Sequence, residues 1–134
     1  MKLLFNIETG VRIHSTQLTD PLSDVKQEIK PFFESQATII ADVDCIFVFY
    51  RVFDFPNDFK TVSRYSKKEN CLTFTYAETD LEPFQKDDKV KIKEYMKLAI
   101  YKALLNVTKT RGFKGKDEIL EMAENFKTSF NLCP

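Results

Sequence analysis

Residues 37–53 read ATIIADVDCIFVFYRVF. Apart from Asp42 and Asp44 the run is apolar, β-branched or aromatic, and from Cys45 to Val52 no alternation leaves one side of a strand for water. A segment of that length and composition is a central strand. Downstream, Pro56, Asn57 and Asp58 make a turn, and FKTVSRY (59–65) and CLTFTYA (71–77) alternate at period two. The polar SKKEN (66–70) joins them, so the two form a hairpin whose tip carries Arg64, Lys67 and Lys68. Cations there keep a hairpin from pairing edge to edge with other chains.

Upstream, KLLFNIETGVRIHS (2–15) alternates Leu3, Phe5 and Ile7, then Val11 and Ile13, around Gly10, which suits a strand or a hairpin turning at the glycine. In TDPLSDVKQEIKPFFES (19–35), Asp20 is suited to cap a helix and Pro21 to its first position. Leu22, Val25, Ile29 and Phe32 share one face, and Pro31 should disturb the last turn. Residues 79–112 read as the longest helix: polar and Lys-rich at first, apolar around most of the circumference over residues 95–107, and ending near Gly112 after Lys109 and Arg111. A last helix over residues 117–127 puts Ile119, Met122, Ala123 and Phe126 on one face. The order β, α, β, β, β, α, α predicts an α+β fold, a mainly antiparallel sheet of four to five strands covered by helices on one face.

The 134 residues suit one domain, 1–134, and 13 Phe provide volume for a core that needs neither disulfides nor metal. Lys and Arg balance Asp and Glu at 20 each, so no global field draws the chain to nucleic acid or an anionic membrane. The charge is unevenly distributed: residues 1–59 are net negative, 60–116 net positive and 117–134 net negative. Partners are therefore to be sought in patches. An apolar start broken by Asn6 and Glu8, and no run approaching 18 apolar residues, predict neither signal peptide nor membrane span. Three cysteines, Cys45, Cys71 and Cys133, without metal spacing fit a reducing cytoplasm.

No reaction is written in the residues. His14 is the one histidine and has no partner at a telling distance in sequence, Cys45 and Cys71 sit in apolar strands that disfavour thiolates, and Gly10, Gly112 and Gly115 form no phosphate loop. Neither a catalytic residue, a metal site nor a cofactor is expected. Asp42 and Asp44 share one side of an extended segment, and Asp54 and Asp58 bracket Pro56, without the further oxygens that magnesium or calcium requires. Lys86, Lys93 and Lys97 fall within about a quadrant of the long helix. They solubilise its exposed side or, alternatively, make a small nucleic-acid-binding patch.

One continuous pattern, IIADVDCIFVFYRVFDFPNDFKTVSRYSKKENCLTFTYAETDLEPFQKDDKVKIKEYMKLAIYKALL (39–105), resembles the small α+β immunity proteins that neutralise polymorphic or contact-dependent-inhibition toxins of bacteria, in particular immunity-protein family forty-four. The likeness covers about half the chain and lies in its spacing and in Arg64, Tyr65, Lys67, Lys68 and Leu72. It implies a cytoplasmic toxin inhibitor that is not an enzyme and whose partner is a cognate protein toxin. If that toxin is a nuclease its substrate surface is basic, and Asp42, Asp44, Asp54, Asp58, Glu78, Asp80 and Glu82 are the complement, with Tyr50 and Tyr65 as aromatic anchors.

Overall fold

The computed structural model describes residues 2–9, 15–36, 43–52, 62–78 and 88–133. Among these, the chain runs β1 (Lys2–Thr9), α1 (Ser15–Ser35), β2 (Cys45–Val52), β3 (Val62–Ser66), β4 (Cys71–Glu78), α2 (Lys89–Leu105), a 3-10 turn (Asn106–Lys109) and α3 (Lys116–Ser129). The strands form one sheet in the order β1-β2-β4-β3.

The sheet is mixed, which corrects the mainly antiparallel expectation: β1 pairs β2 in parallel, β2 pairs β4 in parallel, and only β3 and β4 are antiparallel. Two connections cause this. Helix α1 carries the chain from the end of β1 back to the start of β2, and a strand, helix, strand crossover returns in the same direction. The 62–78 hairpin then docks through its second arm, so β2 meets β4. Composition explains the choice of arm. Leu72 and Phe74 of β4 are fully buried, whereas β3 is short, polar and carries Arg64, as suits an edge.

Pleating sorts the sheet into two faces. Ile46 and Val48 of β2 lie beside Leu72 and Phe74 of β4, all at 0% exposure, and they join the core built by the helices. Cys45, Phe47, Phe49, Cys71, Thr73 and Thr75 alternate onto the opposite face and stay half-exposed.

Helix α1 starts at Ser15, five residues before the expected cap, and it continues through both Pro21 and Pro31. Each proline removes one helical hydrogen bond, and the buried Val25, Ile29 and Phe33 hold the helix by tertiary packing. Of the strand or hairpin expected around Gly10, the strand Lys2–Thr9 is described; Gly10, Val11 and Ile13 lie outside the described residues.

Helix α2 starts at its cap Asp88, whose Oδ1 accepts from the Lys91 N–H at 3.2 Å. It then buries Ile92, Met96, Ala99, Ile100, Tyr101, Ala103 and Leu104 between sheet and helices. The 3-10 turn closes it, and Gly112, at φ 78°, turns the chain towards α3. Ile119, Met122, Ala123 and Phe126 of α3 are all fully buried, as their spacing predicts. The Phe126 ring meets Phe32, Phe33 and Phe130 at 5.3, 5.9 and 4.8 Å between centroids.

Candidate functional site

Strand β2 separates two ends of the sheet by roughly 23 Å. Asp44 is exposed at the first end, where its N–H donates to the Asn70 carbonyl at 3.0 Å and ties the start of β2 to the β3–β4 turn. At the second end Val52 and Glu78 are register partners, so the chain leaves β2 towards residues 54 and 58 and leaves β4 towards residues 80 and 82 from adjacent strand ends. Asp42, Asp54, Asp58, Asp80 and Glu82 themselves lie outside the described residues, as do His14 and Lys86. Tyr50 is in β2, in register with Ile7 and Tyr76. Asp44 and Glu78 thus stand at opposite ends of the sheet.

Tyr65 has a structural occupation. Its hydroxyl donates to Asn70 Oδ1 at 2.7 Å, and its ring lies 4.9 Å from that of Phe113. Asn70 adopts φ 49°, a left-handed conformation that asparagine tolerates better than most residues, and the Tyr65 bond holds its side chain there.

The lysines of α2 are likewise engaged. Glu28 of α1 receives Lys93 Nζ at 2.7 Å on one carboxylate oxygen and Lys97 Nζ at 2.6 Å on the other. Hydrogen bonds from Lys93 and then Lys97 hold the Glu28 carboxyl below its usual range, and the same contact raises Lys93. Lys97 also sits 4.9 Å above the Phe130 ring. Two of the three cations proposed for a nucleic-acid patch therefore clamp α1 to α2, and their charge is partly neutralised where a phosphate would have to dock.

A different cationic cluster is formed by tertiary structure. Arg64 of β3, Lys109 at the end of the 3-10 turn and Arg111 line a concavity of about 520 Å³ along the sheet edge, together with Val62, Ser63 and Tyr65. The two sides are stitched by Thr110 Oγ1 donating to Ser63 Oγ at 2.6 Å and by Ser63 Oγ donating to the Asn106 carbonyl at 2.8 Å. Arg64, Lys109 and Arg111 are exposed, and none forms an ion pair with a described residue. Sequence reasoning assigned Arg64 to a hairpin tip and the other two to a helix end. The one available signal was the net positive charge of residues 60–116.

On the half-exposed face, Phe47 and Phe49 stack at 6.1 Å with their planes 19° apart, and Cys45 and Cys71 are register neighbours. Burial, then the adjacent Cys45, pushes the Cys71 thiol up to about 12, so it is a poor nucleophile at neutral pH. Among the described residues no group of histidine, cysteine and carboxylate side chains can hold a metal ion, and no helix is long and apolar enough to cross a membrane.

A family model described as Immunity protein 44 matches residues 1–129. No curated protein and no solved structure matches the chain significantly.

Proposed function

The chain belongs to the immunity protein 44 family, and from that premise we propose that it binds a cognate bacterial toxin in the cytoplasm and neutralises it by covering the active site or a surface the toxin needs. The family match over residues 1–129 carries this reading. The protein acts by recognition, without turnover, as one domain on a rigid α+β scaffold.

We assign the toxin to the nuclease type, as an effector of a polymorphic or contact-dependent inhibition system, and the contact to the acidic residues. The register of Val52 with Glu78 supports this, since two acid-bearing segments, one with Asp54 and Asp58 and one with Asp80 and Glu82, depart from neighbouring strand ends. Carboxylates suit the cationic groove with which a nuclease holds a phosphate backbone. Tyr50, two residues before the end of β2, is the aromatic anchor of this contact, with Asp42 and Asp44 as further acidic candidates.

Co-expression with the toxin tests the assignment. Asp54→Lys with Asp58→Lys should abolish protection while the purified variant melts like the wild type. Lys67→Glu with Lys68→Glu, at the exposed turn, should leave the cells alive. The opposite pattern would move the contact to the hairpin.

A further inference from the structure

The sheet has an edge at β3, which pairs with β4 and with no other described strand. An edge strand offers a row of backbone N–H and C=O groups to any extended segment that can lie beside it. Here the row is flanked by charge of one sign. Ser63 and Tyr65 point to the helix side, where Thr110 bonds Ser63, so Lys109 and Arg111 border the edge on that side. Arg64 alternates with them onto the opposite face beside Val62, which is 38% exposed. The concavity of about 520 Å³ along this edge is open and lined by three cations without an acidic partner among the described residues.

We propose that this edge is a second docking surface, going beyond the acidic contact of the immunity reading, and that its occupant is an extended acidic polypeptide segment added to the sheet alongside β3. Charge complementarity selects that occupant. Carboxylates pointing to alternate faces of an added strand would meet Arg64 on one side and Lys109 and Arg111 on the other. A second copy of this chain is disfavoured by the same residues. Arg64 is the middle residue of Val62–Ser66, so a two-fold antiparallel pairing of two β3 strands centred there would set Arg64 opposite its own copy, a like-charge pair at about 5 Å. A nucleic acid could use the cations but not the strand's hydrogen-bonding row, and the test separates the two.

The experiment uses the full chain and a fluorescein-labelled peptide of about nine residues in which consecutive Glu pairs are separated by Val, so that an extended strand presents carboxylates on both faces, with Lys in place of Glu as the control. Anisotropy at low salt should show binding of the Glu peptide and not of the Lys peptide, with amide exchange slowed in β3. Arg64→Glu with Arg111→Glu should weaken it at least about tenfold, as expected when charges facing a partner are reversed. Both side chains are exposed, so the variant should fold; Arg64→Gln with Arg111→Gln replaces it if it does not. Absence of binding, equal binding of the Lys peptide, or binding without slowed β3 exchange would overturn the proposal. So would displacement of the peptide by a single-stranded oligonucleotide at lower concentration, or a dimer in sedimentation whose β3 amides are protected without peptide. None of these outcomes bears on toxin protection by the acidic residues, so the two readings fail separately.

Discussion

Leu104→Ala probes whether α2 is the keel of the fold. Leu104 is fully buried within the helix that packs against the sheet and both neighbouring helices. The substitution removes three carbons, worth about 2.4 kcal/mol by transfer alone at roughly 0.8 kcal/mol each. The space left behind adds to this, because sheet and helices enclose the site and cannot collapse into it, which brings the expected cost to about 3.5 kcal/mol within the usual range of about 3–5. For a chain of 134 residues the unfolding entropy is about 0.3 kcal/mol per kelvin, so the melting temperature should fall by about 12 °C. Urea denaturation followed by circular dichroism is the assay, with an unchanged m-value expected. Val90→Ala, at a residue of the same helix that is 63% exposed, is the control and should move stability by less than about 0.5 kcal/mol. A Leu104→Ala variant within 1 kcal/mol of the wild type, or one no worse than Val90→Ala, would refute the placement of the helix.

Three further outcomes follow from local geometry. Glu28→Gln should lower stability by about 0.5–1 kcal/mol at pH 7, a modest value because the Lys93 and Lys97 pairs are partly exposed. Since folding depresses the Glu28 pKa below 4.5, its contribution is present above that value and lost as pH falls through the folded one, so the denaturation curves of variant and wild type should converge in acid. With iodoacetamide at pH 8 the exposed Cys133 should be alkylated in the native state while Cys71, at about 12, holds roughly one part in ten thousand as thiolate and stays unmodified; peptide mass mapping distinguishes them. Asp88→Ala should cost about 1 kcal/mol by leaving the first turn of α2 uncapped, read as a lower urea midpoint.

The alternation and apolar runs of the sequence located β2, the two arms of the hairpin, α2 and α3, but the continuous apolar run of β2 hid a sidedness that only the fold supplies. Ile46 and Val48 are buried, whereas Cys45, Phe47 and Phe49 stay half-exposed, and α2, expected over 79–112, is described as Lys89–Leu105. Ile119, Met122, Ala123 and Phe126 are all buried as their periodicity requires, because hydrophobic spacing is a local property that survives any arrangement of neighbours. The start of α1 was less legible: Asp20 and Pro21 carry the chemistry of a helix entrance, yet the helix begins at Ser15 and runs through Pro21. Strand order was not legible at all. Whether β3 or β4 joins β2 depends on which arm of the hairpin buries more apolar surface against helices far away in sequence, and that contest turned an expected mainly antiparallel sheet into a mixed one. The candidate sites divide on the same line. Acidic residues close together in sequence could be named as candidates, but only the tertiary structure separates Asp44 from Glu78 along the sheet, pairs Lys93 and Lys97 of α2 with Glu28 of α1, and brings Arg64 beside Lys109 and Arg111. Charge acts over distance in space, and sequence separation gives no measure of that distance until the chain is packed.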